Sequence, residues 1–245
     1  MKTALKLIVL IGIAGYLIYA VTRFSQHTEE VVCKGVDIEI SDSLLCCFIS
    51  KDDVYSILTK NKIHAQGKKI SEINLSQIEK LMEDNPYIEE AHTYYTGQGI
   101  LRITVVPQQP ILHVMPQKGE GYYLDRNGST MPEGEINIDL CVATGKIDKK
   151  FAKEKLLPLA LYIHNDTFWN RLAEQIHVID EKNIEICPRM GEHVILLGDP
   201  GNFEDKLQRV RIFYKNGFPT VGWNKYKAIN VAFDGQIVCI KKDKK

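Results

Sequence analysis

The chain has no net charge, no cysteine pair at redox or zinc spacing, and no long apolar run after residue 21. Each absence removes a class of function. Lysine plus arginine and aspartate plus glutamate number 31 each in 245 residues, which leaves no electrostatic footprint for nucleic acid. The six cysteines, Cys33, Cys46, Cys47, Cys141, Cys187 and Cys239, form no CxxC and join no histidine cluster, so neither a thioredoxin-like site nor a structural metal is signalled. Missing too are a GxSxG elbow, an HExxH helix, a Walker loop and a paired-glycine dinucleotide loop. The seven histidines are scattered, and His92, His113, His177 and His193 fall in or beside expected strands, where a structural role is the simpler reading. Glu29-Glu30, Asp52-Asp53 and Glu89-Glu90 are neighbours in sequence, but adjacent strand residues point to opposite faces and do not converge on one substrate. We expect no catalytic, cofactor or metal site, and a protein that acts by being held in place and touched.

What is present begins with one apolar segment, Leu7 to Val21 (LIVLIGIAGYLIYAV). Ala4 and Leu5 extend it toward the ~20 residues that span a bilayer, and Lys6 can snorkel. Lys2, Lys6 and the N-terminus precede it, so the positive-inside rule keeps the N-terminus in the cytoplasm and sends everything after about Phe24 across the membrane. A cleaved signal peptide is the alternative, but Ile18-Tyr19-Ala20 offers only one small residue where cleavage wants two. A buried helix of a globular domain would show a polar face, and this segment has none.

The rest has ordinary globular composition, with 44% apolar and 25% charged residues over the whole chain, and room for two modest domains. Val31 to Val106 reads as strand, helix, helix, strand, strand. Val36 to Ile40 alternates at period two, and Ser50 with Asp53 opens a helix carrying Val54, Ile57 and Leu58. A second helix follows Ser76, with Ile78, Leu81 and Met82 inward, and Asn85-Pro86 ends it. Tyr87–Tyr95 and Ile100–Val106 are joined through Gly97 and Gly99. Pro107 and Pro110 mark a boundary.

Beyond it the chain is mostly short strands: Ile111–Met115, Gly121–Asp125, Ile138–Ala143, Gln175–Ile179, Ile184–Cys187 and His193–Leu197. One helix runs from about Lys149 to His164 with a break or kink at Pro158. Another runs from about Asn202 to Lys215 and ends in a left-handed cap at Gly217. Tyr226–Phe233 and Gln236–Ile240 form a terminal hairpin turning at Asp234-Gly235. A disulfide from Cys33 to Cys46 or Cys47 is open, because the segment between them is short and extended; the sequence does not choose between the two. Cys141 and Cys239, in apolar strands, read as small core residues.

Several motifs carry a resemblance. Asn85-Pro86-Tyr87-Ile88-Glu89-Glu90-Ala91 is similar to a PWV..A step from helix to strand, followed by Leu101-Arg102-Ile103-Thr104-Val105 and Pro110-Ile111. Gly121-Tyr122-Tyr123-Leu124-Asp125 with Gly128 and Met131-Pro132 resembles YYLD..G...P. Tyr226, Ile229-Asn230-Val231, Phe233 and Gln236-Ile237-Val238 resemble Y..IDL.F..Q.V. Together they resemble the FtsQ/DivIB bacterial cell-division proteins over nearly the whole chain. Departures from the family pattern include Pro107-Gln108 where Glu-Arg is frequent, and Asn230, Val231 and Ala232 where Asp, Leu and Arg are frequent.

The resemblance implies an α+β protein with a cytoplasmic tail (1–6), a transmembrane helix (7–23), a three-stranded POTRA domain with two helices (31–108), a mostly antiparallel β domain with two or three helices (109–241) and a basic tail (242–245). It implies a non-enzymatic, single-pass scaffold of the inner membrane with its domains in the periplasm. That scaffold would bind FtsB and FtsL by β-strand addition and act on FtsW and FtsI indirectly, with no nucleic acid, cofactor or small-molecule substrate. The expected partner-binding set is Tyr226, Ile229, Val231, Phe233, Gln236 and Val238 on the hairpin, with Lys206, Arg209 and Arg211 on the preceding helix choosing an acidic partner. Only alternate strand positions can face outward, so some of this set belongs to the core. The rival classes are a membrane-tethered periplasmic thiol enzyme and another POTRA-type envelope assembly protein.

Overall fold

The apolar N-terminal segment lies within α1 (Lys2–Thr28), an unbroken helix. The hydroxyl of Thr22, just past the apolar stretch, is shared between the carbonyls of Ile18 and Tyr19, both at 3.0 Å. A computed structural model of the chain describes residues 2–28, 31–41, 48–134, 138–222 and 225–242, and within α1 the side chains of Lys6 and residues 10–22. Among the described residues no helix is long and apolar enough to cross a membrane, so membrane insertion rests on the sequence pattern. The chain divides into two compact units, Met1–Gln108 and Gln109–Lys245.

In the first unit α1 is followed by β1 (Gly35–Ile40), α2 (Lys51–Lys60), a 3-10 turn (Ile70–Glu72), α3 (Leu75–Glu83), β2 (Ile88–Tyr95) and β3 (Ile100–Pro107). Ser50 and Asp53 close a reciprocal capping box: the Asp53 N–H donates to Ser50 Oγ at 3.2 Å and the Ser50 N–H donates to the Asp53 carboxylate at 2.8 Å. The Ser50 hydroxyl, which donates to the same carboxylate at 2.6 Å, and then the Ser50 N–H hold the Asp53 carboxyl below its ordinary value. Asn74, not Ser76, caps α3, accepting from the Gln77 N–H at 3.1 Å. Strand β3 is central, parallel to β1 and antiparallel to β2. Ile38, Leu101, Ile103 and Val105 pack against Val54, Leu58, Ile78 and Met82 of the two helices. Cys33 is a free, buried thiol whose Sγ lies 3.2 Å from the Gly35 carbonyl oxygen; Cys46 and Cys47, its expected disulfide partners, lie outside the described residues.

The second unit runs β4 (Pro110–Pro116), β5 (Tyr122–Asp125), β6 (Thr130–Pro132), β7 (Val142–Gly145), α4 (Lys149–Phe151), α5 (Leu157–Asn165), α6 (Thr167–Leu172), β8 (Ala173–Asp180), β9 (Asn183–Pro188), β10 (Val194–Gly198), α7 (Phe203–Asn216), α8 (Phe218–Val221), β11 (Tyr226–Asn230) and β12 (Val238–Lys241). Its strands make one nine-stranded sheet in the order β12, β11, β10, β9, β8, β7, β4, β5, β6. Most neighbours are antiparallel; β4 with β7, β7 with β8 and β10 with β11 are parallel. Residues directly opposite each other share a face, and the registers align Tyr122, Val114, Ala143, Ile176, Ile186, Ile195, Ile229 and Cys239 in one row. All but Cys239 are buried in a single core with Leu156, Leu159, Trp169, Leu207, Val210 and Phe218 of the helices.

The break expected at Pro158 takes the form of a π turn, and two other local expectations are corrected. Lacking an N–H for the Glu154 carbonyl, the chain widens into a π turn (Ala152–Leu156) in which the Leu157 N–H reaches Ala152 O, and α5 continues with proline in its first turn. Gly217 is not left-handed: its φ is −85° and the chain passes on into α8. Glycine is needed there for space, because a Cβ would lie 2.5 Å from the Phe213 ring. The expected strand Ile138–Ala143 forms only from Val142 onward.

Gly145, where β7 ends, has φ +106° and a missing Cβ that would sit 2.1 Å from Val178 O on β8. Gly145→Ala is therefore expected to lower unfolding stability by about 3 kcal/mol. Urea denaturation followed by tryptophan fluorescence measures this; an unchanged midpoint would mean that β7 and β8 part at this point without strain.

Candidate partner-binding edge

The terminal hairpin forms, but with a wider turn than Asp234-Gly235 suggests. Strands β11 and β12 pair from Tyr226 with Lys241 to Asn230 with Val238, and residues 231–237 connect them. The Val231 N–H turns to the other neighbour and donates to Leu196 O at 3.0 Å. Asn230 Oδ1 accepts from the Ala232 N–H at 2.9 Å, which starts an Asx turn. The guanidinium of Arg209 then reaches from α7 into the mouth of the connection. Its Nη1 donates to Phe233 O at 2.9 Å and to Gln236 O, its Nη2 to Val231 O at 3.3 Å, and its Nε to Asp205 at 3.0 Å. A planar, five-donor fork can hold several carbonyls at once, so a cation takes the place of a tight turn.

The expected binding set is divided by this arrangement. Ile229 and Val231 are fully buried beneath α7 and belong to the core. Tyr226 is half-buried, with its ring 6.3 Å from that of Phe213. Phe233, Gln236 and Val238 are exposed, Phe233 at 55% and Val238 at 43%. The three cations are bonded inside the chain instead of facing outward. Lys206 is buried and its Nζ donates to Asp199 O at 2.9 Å, pinning the turn before α7. Arg209 has a side chain 14% exposed. Arg211 pairs with Asp166 and lies 5.0 Å from the Phe168 ring centroid. Its guanidinium holds the Asp166 carboxyl below the ordinary value, while Asp166 caps α6 at the Phe168 and Trp169 N–H groups. Sequence periodicity identified these cations but not the acceptors that bend back to meet them.

Strand β12 stands at the end of the sheet order, and among the described residues no strand lies beyond it. Its Val238 and Ile240 are exposed while Cys239, at the end of the buried row, is half-covered. Ile240, Cys239 and Lys241 were not in the expected set, although the alternation of Gln236 to Ile240 could have pointed to them. Such a margin offers backbone donors and acceptors to an extended segment.

Just before β10, His193 sits in a box made by Tyr214 and Phe218, with ring centroids at 5.5 and 5.1 Å. Its Nε2 bonds the Tyr214 hydroxyl, and among the described residues its Nδ1 has no partner. Burial, and secondarily Lys242, pushes its pKa down, and burial pushes the Tyr214 phenol up.

Three of the described thiols are raised by burial, Cys141 up to about 12 and Cys187 and Cys239 also upward, the reverse of what a nucleophilic thiolate needs. Among the described residues no group of three or more histidine, cysteine, aspartate or glutamate side chains is placed to hold a metal ion.

The second unit is a nine-stranded sheet that ends, among the described residues, at β12, and the first is a small strand-helix-helix-strand-strand unit; the chain is an α+β protein of two domains. Residues 109–240 match the family described as FtsQ/DivIB, C-terminal related, and residues 31–106 match the POTRA-like domain. The first match covers more than half of the chain, and the chain belongs to the FtsQ/DivIB family. Its role is that of a cell-division scaffold, in a family that is non-enzymatic. No curated protein matches the chain significantly.

The His193 geometry sets a pH dependence. A histidine whose folded pKa lies below its unfolded value of about 6.5 leaves the unfolded chain holding more protons, so stability is complete above that value and declines as pH falls through it. The slope is at most ~1.4 kcal/mol per pH unit for one group. Urea midpoints from pH 7.5 to 5 should fall in the unsubstituted chain and fall less in His193→Gln; equal slopes would assign the dependence to other groups.

Proposed function

We propose that the chain is a single-pass protein of the bacterial cytoplasmic membrane, held by residues 7–23, whose β12 edge takes up an extended segment of FtsB or FtsL as an added strand. Through these partners it helps recruit and regulate septal wall synthesis by FtsW and FtsI. The observation that carries this reading is the exposure of Val238 and Ile240 on a strand that ends the sheet order. The buried row supports it, because a residue paired opposite Cys239 would extend the row by one more position. Main-chain bonds would supply affinity and side-chain pockets at alternate positions would supply selectivity. Phe233, exposed on the turn held by Arg209, adds an aromatic contact beside the edge.

The test measures binding of FtsB and FtsL segments to the full chain in detergent. Deletion of residues 238–245 is expected to abolish binding, and Val238→Asp with Ile240→Asp to weaken it about tenfold or more, since an apolar side chain buried at an interface contributes on the order of 1.4 kcal/mol or more. Arg209→Lys, which keeps the charge and loses the fork, should weaken binding with the fold intact. Undiminished binding by the Val238→Asp, Ile240→Asp chain and by the folded deletion chain would overturn the proposal.

A further inference from the structure

The eight-residue edge strand β2 is treated in the opposite way from β12. Strand β2 ends the order of the three-stranded sheet, so among the described residues one of its margins has no strand beside it. Yet its margin amides are not free. The Thr93 N–H donates to Glu79 Oε1 at 2.7 Å and the Ala91 N–H to Glu83 Oε1 at 3.4 Å. The Thr93 hydroxyl adds bonds to the same Glu79 oxygen at 3.1 Å and to Leu75 O at 3.4 Å. Both carboxylates stand on α3, beside Ile78 and Met82, which anchor the helix in the core.

The spacing explains why a helix can do this. Residues four apart on a helix rise about 6.0 Å, and alternate residues on a strand are about 6.8 Å apart. Two glutamates at i and i+4 therefore present acceptors at nearly the interval at which a neighbouring strand presents carbonyls. A carboxylate is also the stronger acceptor.

We infer that α3 is a surrogate neighbour for β2: Glu79 and Glu83 close this edge to strand addition, and the pairing they forestall is with β2 of a second copy of the chain. The second copy follows from self-complementarity. Antiparallel pairing about a two-fold axis at Thr93 sets Thr93 against itself, Ala91 against Tyr95, His92 against Tyr94, Glu90 against Thr96 and Glu89 against Gly97. No acid then faces an acid, and an isologous pairing of this kind requires no other protein. The inference does not depend on what binds β12.

The experiment compares the full chain in detergent with Glu79→Ala/Glu83→Ala and with Glu79→Gln/Glu83→Gln, each also carrying Thr93→Cys for oxidative cross-linking. The alanine pair should exchange its Ala91 and Thr93 amides at least tenfold faster when dilute. It should double in mass when concentrated, and yield a peptide linked from residue 93 to residue 93 by mass spectrometry. The glutamine pair keeps an acceptor oxygen at each position and should behave as the unsubstituted chain. Should the double alanine variant lose its fold, Glu79→Ala alone decides by the same readouts. An alanine variant that stays monomeric, a dimer without the 93–93 link, or a 93–93 dimer of the chain carrying Thr93→Cys alone would overturn the inference.

Discussion

The second unit depends on one row of side chains. Tyr122, Val114, Ala143, Ile176, Ile186, Ile195 and Ile229 lie side by side across seven strands, all buried, and the helices pack on them. At about 1.5–3 kcal/mol for each large apolar side chain removed from water, the row favours this register strongly, since a slip of one residue would turn a whole strand's apolar set outward. It also fixes where cover runs out. Cys239 is the next member and is only half-covered, so the margin of β12 is a place where an arrangement stable everywhere else stops short.

The edges of both sheets are managed by different means. Strand β6 is three residues long and ends on Pro132, a short, proline-marked edge of the kind that resists pairing. Strand β2 is long, and α3 bonds its margin amides with two carboxylates. Strand β12, four residues long, carries no proline, and among the described residues no helix side chain bonds its amides. Its approach is shaped from behind by Arg209, which gathers the carbonyls of 231, 233 and 236 and ties the turn to α7. That clamp also accounts for the displacement of the cations from the surface: the acceptors they satisfy are backbone carbonyls and capping carboxylates of their own unit.

Much of the fold was legible in local chemistry. The Ser50–Asp53 capping box, the alternation of β1 and the terminal hairpin each had a sequence signature and each formed. The parallel pairs of β7 with β4 and β8 were not legible, because β7 is brief and both partners are distant in sequence. The π turn before Pro158 and the right-handed Gly217 follow from what those residues touch. At the candidate edge, alternation marked Ile229 and Val231 as apolar but could not say that they lie under α7. Glu79 and Glu83 looked like ordinary solvated helix residues until the fold set β2 beside them.

The most direct measurement is amide hydrogen exchange across β12 in the full chain, with and without a bound division partner. The account predicts slowed exchange in residues 238–241 on binding, with exchange at Ala91 and Thr93 unchanged. Binding that leaves 238–241 exchanging as before would contradict it.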